Sequence, residues 1–228
     1  MNIDQSSKII IISSPSGAGK TTLCKLLLKK MNNVDLSISY TSRNQRLNEV
    51  NGKDYFFVNK DKFVNLKNKN YFIETAVNFG NYYGSPFTNL KIAKKNKKQI
   101  LFDIDWKGAR KIRKKIDKKD IIDFFILPPS INELKKRLIK RGRDNKKDIN
   151  LRLSYAIKEI SHYSEYSYIL INQNVMQTVN DIVHIIKNNP KILDVTLQES
   201  FTHYIPNIFN LEIVLHYLTN YATRLVNM

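Results

Sequence analysis

The stretch Ile9-Ile10-Ile11-Ile12-Ser13-Ser14-Pro15-Ser16-Gly17-Ala18-Gly19-Lys20-Thr21 constrains this chain more than any other. Four consecutive β-branched residues bounded by turn formers read as a strand buried on both faces of a parallel sheet. The glycine-bearing loop that follows ends in Lys-Thr and opens a helix over Lys20 to Met31. Strand, loop, lysine and helix in that order make a phosphate-binding loop. Backbone N–H groups and the helix N-terminus face an anion, Lys20 offsets its charge, and the Thr21 hydroxyl can reach Mg²⁺. The general pattern G-x-x-x-x-G-K-[ST] has glycine where this chain has Ser14, a small residue that a negative φ tolerates. Residues 14–21 (Ser14, Pro15, Ser16, Gly17, Ala18, Gly19, Lys20 and Thr21) are therefore expected to hold a nucleoside triphosphate. That alone does not name a reaction.

Further apolar runs recur at Leu36–Tyr40, Ile100–Ile104, Ile121–Leu127 and Tyr168–Ile171, with helical patterns at Trp106–Ile116, Ile131–Arg141, Asn150–Tyr163 and Val175–Lys187. Ser130-Ile131-Asn132-Glu133 is a capping box, and Gly142 a helix stop. Alternating strands and helices predict an α/β doubly wound parallel sheet. Residues 41–85 break the rhythm. They are polar and Tyr/Phe-rich, with a turn at Asn51-Gly52 and glycines at 80 and 84, and they predict an inserted small sheet. A chain of 228 residues suits one such domain with insertions, or two small ones.

The net charge of +18 comes from lysines scattered in short groups on expected helix surfaces and loops. That distribution reads as a solvated surface, and low-salt nucleic-acid affinity would follow from charge alone. Cys24 is the single cysteine, so no internal disulfide forms and a reducing compartment is expected. The N-terminal MNIDQSSK carries no targeting pattern, and no apolar run reaches the ~18 residues of a membrane span. A cytoplasmic protein follows as the expectation.

Several motifs then occur together and in order: S-P-S-G-A-G-K-T at 14–21, S-x-T-S-R-x-x-R from Ser39 to Arg46, N-G-K-D-Y-F-F-V at 51–58, F-I-E at 72–74, G-N-Y-Y-G-S at 80–85, D-I-D-W-K-G-A at 103–109, I-L-P-P-S at 126–130 and K-R-L…R-G-R at 136–143. From about Lys8 to Asn188 the chain closely resembles the guanylate kinase family. The resemblance implies the P-loop nucleoside-monophosphate-kinase fold, with a five-stranded parallel sheet. It places the domain at 8–188, an inserted GMP-binding subdomain at about 40–88 and a helical lid at about 128–152. Residues 189–228 are an extension outside it. The implied activity is Mg²⁺-dependent transfer of the γ-phosphoryl of ATP to GMP, giving ADP and GDP, for GTP and dGTP supply and GMP recycling. Implied partners are these small molecules, with no specific nucleic acid and no membrane. The chain would be a monomer or homo-oligomer.

The residue chemistry suits that reading. Arg43 and Arg46 are guanidinium forks for a phosphate dianion. Tyr55 and Tyr83 can donate phenolic hydrogen bonds to it. Glu74 can accept both N1–H and N2–H₂ of guanine, a pair that adenine lacks. Ser39 and Ser85 offer hydroxyls to O6 or N2. By resemblance these seven form the GMP site, with Asp105 helping to position the nucleoside. Asp103 ends a strand where a carboxylate reaches Mg²⁺ through water. Arg137, Arg141 and Arg152 match the family's lid arginines, which with Lys20 and Arg43 stabilise transferring charge. Asn172 lies in the loop beside adenine in the family, where Gln173 and Asn174 replace the usual acidic pair. No general base is needed, because a phosphate monoester with a second pKa of ~6 is already largely dianionic.

Two other classes share some of these motifs. A GTPase switch would use Asp105-Trp106-Lys107-Gly108 (D-x-x-G) and Asn145-Lys146-Lys147-Asp148 (N-K-x-D), but the second should follow a buried strand rather than a basic helix. A catalytically inactive guanylate-kinase-like binding module would typically lack the intact Lys20, Thr21, Arg43 and Glu74 seen here. In the extension, Leu211, Val214, Leu215, Leu218, Ala222 and Leu225 have helical spacing and predict a terminal amphipathic helix for self-docking or dimer contact.

Overall fold

The computed structural model describes residues 8–140, 146–188 and 204–206. Its strands are β1 (Ile9–Ser13), β2 (Val34–Leu36), β3 (Tyr40–Thr41), β4 (Phe56–Phe57), β5 (Phe72–Asn78), β6 (Asn81–Pro86), β7 (Gln99–Asp103), β8 (Ile121–Leu127), β9 (Tyr168–Ile171) and β10 (Tyr204–Pro206). Its α-helices are α1 (Lys20–Lys30), α2 (Lys60–Asn68), α3 (Phe87–Lys95), α4 (Trp106–Arg113), α5 (Ile131–Lys140), α6 (Lys146–Ile160) and α7 (Val175–Asn188). The chain divides into two compact units. One holds the residues up to Ser13 and Leu28–Ile122, the other Ser14–Leu27 and the residues from Asp123 on.

In the first unit β7 lies between β1 and β2, both parallel to it, with Ile9 opposite Ile100, Ile12 opposite Asp103 and Val34 opposite Gln99. Ile9 to Ile12 are all fully buried. Each contributes about 1.5–3 kcal/mol by burial, which explains why an unbroken isoleucine run is stable only as an inner strand. A second sheet follows the order β4-β3-β6-β5. Its β5–β6 hairpin turns on Phe79 and Gly80, both at positive φ, as a two-residue primed turn requires.

The expected strand over Leu36–Tyr40 is instead two strands in two sheets. β2 ends at Leu36 and β3 begins at Tyr40. Between them Ser37 N–H donates to the Leu101 carbonyl (2.8 Å), and the Asn89 amide donates to the Ile38 carbonyl (3.2 Å) and Ser37 Oγ (3.3 Å). The alternating pattern there reflects a crossing chain pinned by side chains, not one ladder. The inserted sheet is present, but it also carries α2. Asn59 caps that helix by accepting from Lys62 N–H (2.8 Å), and Phe63 is its buried residue.

In the second unit β8 and β9 run parallel, with Phe124 opposite Tyr168, and β10 pairs antiparallel with β9. Five strands thus have the expected parallel role: three in the first unit and two in the second. The antiparallel β10 was not foreseen, and it comes from the extension. The helical pattern from Leu211 to Leu225 lies outside the described residues. Ser130 caps α5 as predicted, its Oγ accepting from Glu133 N–H (3.0 Å). Glu133 itself binds Arg137 (3.2 Å). Cys24 is buried on α1.

Candidate functional site

The phosphate loop belongs to the second unit. Gly17 and Gly19 both have φ of 99°, a conformation that L side chains rarely adopt. A Cβ on Gly17 would also fall 2.8 Å from Leu134 Cδ1, and one on Gly19 2.6 Å from Asn172 Nδ2. Ala18 N–H donates to the Pro15 carbonyl (3.1 Å), which tightens the turn. Lys20 and Thr21 open α1, and the Thr21 side chain is exposed.

Asn172 and Arg137, both predicted site residues, bind the backbone of the loop. Asn172 is fully buried, and its Nδ2 donates to the Ala18 carbonyl (2.7 Å) while Oδ1 accepts from Thr178 Oγ1 (3.4 Å). Arg137 donates from Nη2 to the Asn172 carbonyl (3.3 Å), from Nη1 to the Ala18 carbonyl (3.5 Å) and from Nε to Glu133 (3.2 Å). Arg152 lies half-buried on α6, and Arg141 is outside the described residues. Asn174 Oδ1 accepts from the N–H groups of Met176 and Gln177 and so caps α7. Glu159, which carries no motif, accepts from Ser16 N–H on the loop (3.0 Å). Only an odd acidic residue on a helix marked it in the sequence.

The first unit holds the residues predicted for GMP. β5 and β6 pair Phe72 with Pro86 and then Glu74 with Ser85, so a bulge lies between. A bulge lets Phe72, Ile73 and Glu74 all be buried in succession, against strict alternation. Glu74 is 3% exposed and accepts from Ser85 Oγ at 2.7 Å, and Ser85 Oγ lies 3.0 Å from Ser39 Oγ. Burial pushes the Glu74 carboxyl up to about 7. The Asp105 charge adds to this, while the Ser85 hydrogen bond and Lys111 oppose it. Asp105 is the N-cap of α4. Its Oδ1 accepts from Gly108 N–H (2.8 Å) and its Oδ2 from Asn78 Nδ2 (2.6 Å). D-x-x-G is therefore a helix cap. In N-K-x-D, Asn145 lies outside the described residues and Lys146–Asp148 open α6, which is preceded by α5 and not by a strand.

Arg43 on the loop after β3, Tyr55 just before β4 and Tyr83 on β6 gather beside the small sheet. The Arg43 guanidinium carbon is 5.5 Å from the Tyr55 ring centroid and 5.7 Å from that of Phe57, and the Tyr55 and Tyr83 rings meet edge-on at 6.1 Å. Arg43 N–H donates to Thr41 Oγ1 (3.2 Å). Glu49, also unforeseen, accepts from Arg43 Nη2 at 2.8 and 3.0 Å. Burial disfavours the Arg43 charge, but the Glu49 hydrogen bond and charge outweigh it and hold Arg43 above its ordinary value. Arg46 is exposed on the same loop. Asp103 ends β7 half-buried, opposite Ile12.

Among the described residues no cluster of three or more His, Cys, Asp or Glu side chains could hold a metal, and no helix is long and apolar enough to cross a membrane. Thr21 in the second unit carries a hydroxyl and Asp103 in the first a carboxylate, each a hard oxygen of the kind Mg²⁺ takes.

Comparison with known proteins gives one answer. A family model described as guanylate kinase matches residues 6–189. Guanylate kinase from Rickettsia prowazekii is 46% identical over 186 residues, covering 82% of this chain and 93% of that protein. The Bradyrhizobium diazoefficiens guanylate kinase is 40% identical over 185 residues, covering 81% of this chain and 84% of that one. The crystal structure of guanylate kinase from Anaplasma phagocytophilum superposes with a TM-score of 0.68 at 31% identity, covering 92% of this chain and 94% of that one.

Proposed function

The chain belongs to the guanylate kinase family, and from that premise we propose how its residues carry the phosphoryl from ATP to GMP. The enzyme is a nucleoside monophosphate kinase that uses ATP as donor. Its domain spans 8–188, with a GMP-binding subdomain at about 40–88 and a lid at about 128–152.

Loop 14–21 receives the ATP phosphates through backbone N–H groups, and Lys20 follows the charge as it moves. Thr21 and Asp103 would hold Mg²⁺, which when bound neutralises the phosphates and orients them. Arg137 and Asn172 fix the loop through the Ala18 carbonyl. Arg141 and Arg152 are the lid arginines that meet equatorial charge.

The acceptor sits in the first unit. Arg43 and Arg46, with Tyr55 and Tyr83, take the GMP phosphate. Glu74 as a carboxylate accepts guanine N1–H and N2–H₂, while Ser39 and Ser85 serve the remaining edge and Asp105 supports the nucleoside. The GMP phosphate attacks as the dianion, so no side chain has to remove a proton. What the residues supply is alignment, charge compensation and exclusion of water.

The observation that carries this reading is the buried Glu74 carboxyl bound to Ser85, in the same unit as the Arg43 loop. It is a guanine reader beside an anion clamp. The enzyme works in the cytoplasm, as a monomer or homo-oligomer without a specific nucleic-acid partner. The buried Cys24 fits a reducing compartment.

The test is ADP release from MgATP with GMP, AMP, dTMP or no acceptor. GMP-dependent release, lowered about 10²–10³-fold by Lys20→Ala, is the expected result. Hydrolysis indifferent to GMP would instead mark an ATPase or switch, and GMP binding without turnover a binding module.

A further inference from the structure

Glu49 sits at the centre of the loop that carries both phosphate arginines. Its two carboxylate oxygens accept from Arg43 Nη2 at 2.8 and 3.0 Å. Oε2 also accepts from the Arg46 backbone N–H (2.9 Å), and Oε1 lies 3.7 Å from Arg46 Nη1. The Glu49 N–H in turn donates to the Arg46 carbonyl (3.0 Å), closing a turn between the two residues. One side chain thus fixes the guanidinium of Arg43 and the backbone of Arg46.

The loop needs such a fixture. No helix or strand covers residues 42–50. The side chains of Arg43 and Glu49 are only 13% and 16% exposed, whereas that of Arg46 is 46% exposed. Two like charges three residues apart on irregular backbone repel each other, and each arginine loses rotamer freedom when held. An anion clamp gains affinity when that ordering is complete before the ligand arrives. The Asn44 carbonyl accepts from Arg43 Nη1 (2.6 Å), and Tyr55 and Phe57 flank the guanidinium. Glu49 adds a constraint that reaches both arginines, through the guanidinium of Arg43 and the backbone N–H of Arg46.

We infer that Glu49 is the positioning residue of the GMP phosphate clamp, setting Arg43 and Arg46 in their binding geometry without itself contacting GMP. The inference rests on the reading of Arg43 as a phosphate ligand. It predicts a defect confined to phosphate recognition. Guanosine, which lacks the phosphate, reports on the guanine pocket alone.

The experiment measures kinetics and calorimetric binding of GMP and guanosine for the full chain and for Glu49→Ala, Glu49→Gln, Arg43→Ala and the double variant Arg43→Ala/Glu49→Ala. Glu49→Ala is expected to raise KM for GMP about tenfold, leave KM for ATP within twofold and leave guanosine binding unchanged. Glu49→Gln, which keeps an acceptor for the Arg46 N–H but no charge, should fall between. In the Arg43→Ala background, Glu49→Ala should add less than twofold, because its main partner is gone.

If Glu49→Ala weakens guanosine as much as GMP, the residue is a general support of the fold and the inference fails. It fails equally if Glu49→Ala tightens GMP, since Glu49 would then compete with the phosphate. If Arg43→Ala raises KM for GMP and Glu49→Ala does not, the clamp stands and only the role of Glu49 is lost. If Arg43→Ala itself leaves GMP binding intact, the clamp reading is wrong and takes this inference with it.

Discussion

A Cβ on Gly108 would fall 2.8 Å from Oε2 of Glu74 and 3.2 Å from its Cδ. Gly108 is in the first turn of α4, and Glu74 is on β5, so helix and strand approach closely enough that only hydrogen fits. Gly108→Ala therefore sets two effects against each other. Alanine is the better helix former by about 1 kcal/mol. It also pushes the one carboxylate that reads guanine. The expected outcome is a 10- to 100-fold rise in KM for GMP, the scale of a misplaced positioning group, with KM for ATP unaltered. Steady-state kinetics with each substrate varied in turn checks this. A variant that is more stable and equally active would mean that Glu74 has slack.

The buried Glu74 carboxyl titrates at about 7 rather than at 4.5. Guanine needs it as a carboxylate, so GMP binding releases a proton at lower pH. Affinity should rise with pH up to about 7 and then level, falling up to tenfold per pH unit below that. Guanosine separates this from the phosphate's own second ionisation at ~6. Calorimetry in buffers of different ionisation enthalpy counts the proton. The Glu74→Gln variant should lose both the proton release and the preference for GMP over AMP.

The same shift has an opposite consequence for stability. A carboxyl whose pKa is raised in the folded state holds a proton there that the unfolded chain has already lost. Stability from this group is full below about pH 4.5 and falls as pH rises to about 7. The loss reaches up to about 3 kcal/mol. Glu74→Gln should therefore melt higher than the parent at pH 8 and by a smaller margin at pH 5. Thermal melts across that range decide it. Equal margins at both pH values would mean that Glu74 is ionised throughout.

Much of this was legible in the sequence because motif chemistry and element pattern coincide there. The isoleucine run, the loop with Lys20 and the Ser130 cap are local features, and each appears where its pattern put it. What the sequence hid is long-range. Glu49 and Glu159 are single acidic residues whose meaning lies in which N–H groups they meet. The resemblance sets Asn172 in the loop beside adenine, and no local pattern told that its amide meets the Ala18 carbonyl 154 residues away. Helix α2 was missed because its polar sequence buries only Phe63, too little for a periodic signal.

Asn172 makes that difference measurable. Asn172→Ala removes the donor to a buried carbonyl, which costs about 1–3 kcal/mol. It also leaves space beside Gly19, where a Cβ would meet the Asn172 amide at 2.6 Å. A loosened loop should raise KM for ATP several-fold while KM for GMP stays within twofold. A lowered melting temperature with unchanged KM for ATP would confine Asn172 to stability.

The last expectation concerns the open side of β5, which pairs only with β6 in its four-stranded sheet. Its carbonyls at Ile73, Thr75 and Val77 accept from Lys115, Lys111 and Lys107 in turn, the last at 3.4 Å. Carbonyls two residues apart share one edge of a strand, and Lys107 and Lys111 on α4, with Lys115 just past its end, stand four apart and cover that edge as a comb. Uncovered edges pair with other chains, and lysines are a common guard. Replacing Lys107, Lys111 and Lys115 with alanine should promote self-association, seen by light scattering at increasing concentration. Removing three exposed lysines elsewhere, at 62, 95 and 118, controls for the lowered charge. Association in the first variant and not in the second is the expected pair of results. Equal behaviour would assign the effect to net charge and leave the edge protected by its twist alone.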